Sequence, residues 1–260
     1  MGATVVLVCR DRSKGESVVA EILERARDRS ASLLIADLAS QASIRGLVDQ
    51  YLAEHEHLHV LVNNAGVYFT KRHVTVDGIE ATLAVNYLAP FLLTNLLLDV
   101  LKRSAPARVI NVIGSYHAKG SINFDDLQGK RGYNGARAIA QSKLAEVLFT
   151  YELARRLEGT GVTANCLDPG MVATNLIEKD ADLPKSVRYG YRLVKPFLKS
   201  PARGAETAIY LASSPDVERA TGKYFAKKKA VTSSPKSYDI ATAGRLWETS
   251  AVLANLGAPR

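Results

Sequence analysis

The feature that most constrains this chain is an alternation of unbroken apolar runs with amphipathic segments. The runs are TVVLVC (4–9), SLLIAD (32–37), HVLVNNAG (59–66), RVINVIG (108–114) and VTANCLDPG (162–170), with a last one, GKYF, at 222–225. Apolar residues fill successive positions rather than every second one, so both faces of each strand need cover. The segments between them carry a 3.6-residue apolar period, as in Ile44, Leu47, Val48 and Leu52. Strand and helix in strict alternation predict an α/β chain with a doubly wound parallel sheet. No repeat, low-complexity tract or linker interrupts the pattern, so residues 1–260 read as a single domain.

Composition narrows the function classes. With 260 residues, 47% of them hydrophobic, the chain has enough apolar material for one sizeable core. Cys9 and Cys166 lie inside apolar runs and read as small buried hydrophobes, which implies no disulfide framework. The start is not a signal peptide, because Arg10, Asp11 and Arg12 follow a short run directly. Position 6 is Val where myristoylation calls for Ser or Thr. The longest apolar stretch, LAPFLLTNLLLDVL, is too short to span a bilayer and is broken by Asn95. A soluble, cytoplasmic protein is therefore expected. The net charge of +8 is scattered apart from Lys227, Lys228 and Lys229, and no nucleic-acid motif accompanies it. It reads as solvated surface charge, compatible with a phosphate-bearing ligand. His55, His57 and His59 sit between a helix end and a strand start without acidic or Cys partners, so no metal is expected.

In a sheet of this kind the ligand lies beyond the carboxyl ends of the strands. Those ends carry Arg10, Asp37, the NNAG of 63–66, the GS of 114–115 and the PG of 169–170. Any one of these is ordinary turn chemistry. Five in succession predict a crevice.

Together with AVNYLAPF, the SK of QSK, and DPGMVAT, these ends fall in an order that resembles the short-chain dehydrogenase/reductase superfamily. The phrases TVDGIEATLAVNYLAPFLLT, NFDDLQGKRGYNG, QSKLAEVLFTYELARRL and GRLWETS resemble its retinol-dehydrogenase-like branch. The resemblance implies a Rossmann-like fold. It also implies an oxidoreductase moving hydride between NADP and a carbonyl or alcohol carbon of an apolar substrate. Ser115 then polarises the substrate oxygen, while Lys143 and Asn86 support a proton relay. Pro90 lacks the N–H that would bond the carbonyl of Asn86, so that carbonyl either holds a water or merely marks a kink.

For the cofactor, the resemblance assigns Arg10 to the adenosine 2′-phosphate, which favours NADP over NAD; a surface arginine is the alternative. Asp37 and Leu38 match the pair that meets adenine, although Asp37 also suits the entry to a helix capped by Ser40. Asn63, Ala65 and Gly66 match the cofactor-supporting turn, and Lys143 the ribose contact. Pro169, Gly170 and Thr174 match the segment around the nicotinamide, with an N-cap as the other reading of Thr174. Residues 176–200 are the expected substrate lid. There Leu193, Val194, Phe197 and Leu198 alternate with Arg188, Arg192, Lys195 and Lys199. Packing over the sheet edge and peripheral contact with a membrane surface both fit that pattern. A homo-oligomer is left open.

Two departures stand out. The superfamily begins with a strand, a TGxxxGxG loop and a helix that receives pyrophosphate on its N–H groups. Here MGATVVLVCRD matches the second strand instead, so the first βα unit is lacking. The absent strand would lie between those starting at Thr4 and His59, leaving two rows of groups unpaired at roughly 1–3 kcal/mol each. A misplaced start is the expected cause; a sheet that closes up unusually is the alternative. The second departure is GARAIAQSK, where Ile139 stands four residues before Lys143 in place of the proton-donating tyrosine. Tyr133 is excluded, since ten residues of helix place it about 15 Å away on another face. Tyr116 and His117, beside Ser115, are chemically able replacements. Losing a positioned acid costs about 10²–10⁴-fold, so a catalytically silent or truncated relative that binds a ligand or partner remains the second reading. The DNA immediately upstream of Met1 is expected to encode, in frame, about 30 residues of strand, TGxxxGxG and helix. An in-frame stop there would refute the misplaced start.

Overall fold

Each apolar run forms a strand. The computed structural model describes residues 2–25, 30–174 and 180–257. In chain order its elements are β1 (Val5–Cys9), α1 (Arg12–Arg25), β2 (Ala31–Ile35), α2 (Gln41–Glu54), β3 (Val60–Asn63), α3 (Ala81–Leu83), α4 (Ala89–Leu96), α5 (Leu98–Arg103), β4 (Ala107–Val112), α6 (Gly135–Arg156), β5 (Val162–Asp168), α7 (Lys185–Val194), α8 (Pro201–Ser213), β6 (Tyr224–Ala226), β7 (Lys229–Val231) and α9 (Ile240–Leu253). Strands β3, β4, β5 and β6 pair in parallel in that order, and β7 closes the edge antiparallel to β6. The Lys227–Lys229 run is explained here. Lys227 and Lys228, with φ of 50° and 63°, form the tight hairpin turn between β6 and β7.

The sheet has a gap where the absent strand would lie, and the alternative of a closed-up sheet is not what is seen. β1 pairs only with β2, as a separate two-stranded sheet, and is not hydrogen-bonded to β3. Val5, Val8 and Val62 are correspondingly exposed, at 40%, 38% and 43%. The sheet does not close up because the helices fix the spacing of the strands. Leu47 of α2 buries against Leu34 and Ala36. Ile44 and Val48 of the same helix join the main core with Leu88, Phe91 and Leu92. Sliding β1 onto β3 would uncover those contacts, each worth about 1.5–3 kcal/mol per side chain.

Two local features position the crevice. Pro90 cannot donate to the carbonyl of Asn86, and the chain answers with a π-helical turn at Ala84–Leu88, where the N–H of Ala89 reaches Ala84. The turn packs Tyr87 and Phe91 beside Phe149 and Trp247, with the Phe91 and Trp247 ring centres 5.0 Å apart. The second feature is α6, which Asn134 caps by accepting the N–H of Arg137. α6 is buried along most of its length and lies against β5, α9 and the 3₁₀ turn Ser115–Lys119.

Glycines let the backbone approach this helix closely. A Cβ on Gly135 would strike the Phe69 carbonyl oxygen, and one on Gly120 the Ala140 carbonyl oxygen. Neither obstacle is a flexible side chain. Gly135→Ala and Gly120→Ala should each destabilise by about 1–3 kcal/mol in urea unfolding. Gly46→Ala, which opens onto free space within α2, should be neutral or stabilising by up to about 1 kcal/mol.

Candidate active site

Four elements meet at the carboxyl ends of β3, β4 and β5. The amide of Asn86 is fully buried: its Oδ1 accepts the Val67 N–H at 2.7 Å, while its Nδ2 donates to the Val67 carbonyl at 3.0 Å and Ser142 Oγ at 3.2 Å. Asn86 thus fastens the loop after β3 to α6. Ser115 opens the 3₁₀ turn after β4, exposed, behind Gly114 at a φ of 99° that favours glycine. Ile139 and Lys143 lie one turn apart on α6, both buried.

Lys143 is engaged within the fold. Its Nζ donates to Glu146 Oε2 at 2.6 Å and to the Val112 carbonyl at 3.3 Å. Burial pushes the Glu146 carboxyl up to about 7 against the pull of the neighbouring ammonium. The sequence reading missed Glu146, although a Glu three residues after a Lys on one helical face, in an apolar stretch, is a legible signal. Asn63 was expected at the cofactor-supporting turn, and its side chain is elsewhere. Its Nδ2 donates to Thr94 Oγ1 at 3.2 Å and Asn111 Oδ1 at 2.8 Å; Asn111 donates to Thr150, and Thr150 to the Glu146 carbonyl. Asn63 therefore ties β3 to β4 and α6, because a buried amide must satisfy its donors. Ala65 and Gly66 line the turn itself, and a Cβ on Gly66 would meet only Asn86 Oδ1 at 3.6 Å.

Of the two candidate replacement acids, His117 is engaged within the fold and Tyr116 is exposed. His117 is buried, with Nδ1 2.9 Å from the Gly114 carbonyl and Nε2 accepting the Ser234 N–H at 3.3 Å. That pattern occupies both ring nitrogens and leaves neither for substrate. Tyr116 is half-exposed, with the Lys119 ammonium 5.7 Å from its ring centre. Tyr133 precedes α6, and its hydroxyl binds the Phe69 carbonyl, Glu80 and Thr82, away from Lys143.

At the β1 end of the row of strand ends, Arg10 is exposed just after β1, while Asp11 is turned toward Ser13 and Lys14, which hold its carboxyl at about 2. No carboxylate pairs with Arg10 among the described residues. Asp37 serves the entry to α2: its Oδ1 accepts the Ala39 N–H and its own N–H donates to Ser43 Oγ, while Ser40 caps the helix. Leu38 packs on the core. At the other end, the turn after β5 places Pro169 and Gly170, with φ 78° at Gly170, and Lys199 donates to the Pro169 carbonyl at 3.2 Å. Thr174 is exposed and its carbonyl accepts the Tyr191 hydroxyl; the segment it was to cap lies outside the described residues.

Of the expected lid, 176–179 lie outside the described residues and 180–200 include α7. Among the described residues α7 itself does not pack over the sheet edge, although Leu183 before it is buried and Lys199 after it is bridged to Val172. No residue of α7 is buried, and Phe197 just beyond it is 88% exposed, because the apolar face turns outward. The beginning of the segment is strapped to the loop after β3. Asp180 accepts the N–H and hydroxyl of Thr70, and Asp182 pairs with Lys71 and His73. His73, Asp180 and Asp182 have metal-like spacing, but the Lys71 ammonium and Thr70 already occupy the carboxylates. No described helix is long and apolar enough to cross a membrane.

The family profile for short chain dehydrogenase matches residues 1–183. The chain belongs to the short-chain dehydrogenase family. It is 42% identical to human retinol dehydrogenase 14 over 270 residues, covering 98% of this chain and 80% of that protein. It is 44% identical to bovine retinol dehydrogenase 12, covering 97% and 78%. An uncharacterised protein from Mycobacterium paratuberculosis aligns over 100% of this chain and 87% of its own, with a TM-score of 0.76 and 29% identity. A metagenomic blue fluorescent protein, solved with NADPH, aligns over 87% and 86% with a TM-score of 0.65 and 28% identity. The Rossmann-like fold of this short-chain dehydrogenase and its likeness to the retinol dehydrogenases thus rest on sequence and structure together.

Because its pKa is raised on folding, Glu146 favours the folded state only while protonated. Its contribution is complete below its unfolded value of 4.5 and is lost as pH rises toward about 7. Glu146→Gln should remove this slope. Urea midpoints of the unmutated protein should fall relative to the variant across that window; parallel profiles would contradict the assignment.

Proposed function

We propose that this short-chain dehydrogenase binds NADP in preference to NAD and acts on a carbonyl or alcohol of an apolar small molecule. The observation that carries the cofactor preference is Arg10, an exposed guanidinium at a strand end with no described carboxylate partner. A guanidinium there suits a 2′-phosphate bidentately, where a carboxylate would repel it. The backbone supports the rest of the fit. Gly114 and Gly170 hold φ values of 99° and 78° at adjacent strand ends, and Gly66 leaves its turn open. No TGxxxGxG loop occurs in the sequence to cradle the pyrophosphate. An apolar substrate is supported by the outward Leu193, Val194 and Phe197, and by the names of the retinol dehydrogenases it resembles. The same face, flanked by Lys185 and Arg192, also suits a peripheral lipid contact.

When bound, the nicotinamide would supply or accept the hydride. The Ser115 hydroxyl would donate to the substrate oxygen, and the Lys143 ammonium would hold the ribose and stabilise negative charge nearby. Asn86 acts indirectly, by locking the loop after β3 to α6. The acid position is filled by Ile139, which carries no proton to give, so turnover is expected to be slow. That one side chain favours the second reading, a silent relative that binds ligand without turning it over.

Equilibrium binding separates the cofactors. NADPH should bind more tightly than NADH, and Arg10→Ala should erase most of the difference, about 1–3 kcal/mol; equal affinities in the unmutated protein would refute the preference. Single-turnover hydride transfer, read at the nicotinamide absorbance, separates the catalytic readings. Ile139→Tyr should raise the rate at least about a hundredfold. Brisk transfer with Ile139 in place would mean that another group supplies the proton.

A further inference from the structure

The Lys143 ammonium has two claimants. One is the crevice, where the reading above needs it. The other is Glu146, three residues on along the same helix, whose carboxylate oxygen lies 2.6 Å away and whose side chain is wholly buried. The groups facing Glu146 from neighbouring elements are Tyr87, from the π turn, and Cys166, from β5; burial keeps both protonated. Lys143 is its one cationic partner among the described residues. A carboxylate in such surroundings stays ionised only with its counter-ion beside it, so drawing the ammonium away would cost this contact and either strand a buried charge or make the carboxyl take up a proton. The second contact of the ammonium, the Val112 carbonyl, also lies on the sheet side.

We propose that Glu146 is a built-in rival of the cofactor for Lys143, holding the ammonium on the inner side of α6 and so weakening NADP(H) binding. The proposal makes Glu146 a positioning residue, acting through Lys143 without touching substrate. Its cofactor part rests on the reading in the previous section.

The test compares NADPH dissociation constants for the unmutated protein, Glu146→Gln, Glu146→Met, Lys143→Met and the Lys143→Met/Glu146→Gln pair. Alongside them, acylation of Lys143 by acetic anhydride is followed by peptide mass spectrometry without cofactor. Freed of its rival, Lys143 should bind NADPH about tenfold more tightly in Glu146→Gln, equivalent to roughly 1.4 kcal/mol. The gain should vanish in the Lys143→Met background, as a pairwise coupling requires. Lys143 should also acylate faster in both Glu146 variants than in the unmutated protein. Equal or weaker NADPH binding by both variants would overturn the rivalry while leaving the cofactor reading intact. If no form binds NADPH, the cofactor reading falls; faster acylation would then sustain the inward hold by itself, and unchanged acylation would overturn that too.

Discussion

The crevice hangs on the packing of α6. This helix is buried from Ser142 to Ala154, and the loop after β3, the turn after β4 and strand β5 are placed by contact with it. Close approach is the means. Gly120 and Gly135 bring backbone against backbone at distances no side chain tolerates, and the Asn86 amide bolts the remaining loop to Ser142. Main-chain contacts and side-chain hydrogen bonds together hold the residues near the site, which favours a preorganised site.

Beneath the site runs a buried polar chain, from Thr94 through Asn63, Asn111 and Thr150 to the Glu146 backbone. In a low-dielectric interior such a chain stabilises only when every member is satisfied. It links β3, β4 and α6, and it ends at the residue whose carboxylate holds Lys143. Fold and charge placement are thus coupled at one residue. Glu146 contributes to the network through its backbone and to the site through its side chain.

The split sheet shows the converse. Where helix contacts hold the strands apart, two parallel strand edges remain unpaired, with apolar side chains of β1 and β3 in solvent. Such edges are templates for pairing with another strand. The β1–β2 pair is retained by the side chains it shares with α2 and α4, so hydrophobic packing holds what the hydrogen-bond ladder does not.

The apolar strands and their parallel sense follow from the sequence, because unbroken apolar runs and 3.6-residue periods are local signals. So does Ile139, whose chemistry is decided by its identity alone. The opening of the sheet into two pieces was only half legible, since a missing neighbour can be counted in sequence but the helices decide whether the gap closes. Tertiary structure alone assigned the polar side chains. Asp37 went to the entry of α2, Asn63 to the core, His117 to Gly114 and Ser234, and Lys143 to Glu146. The outward apolar face of α7 was likewise decided in three dimensions. The reason is the same in each case: a polar or amphipathic residue has several adequate partners, and only the folded chain determines which one lies within reach.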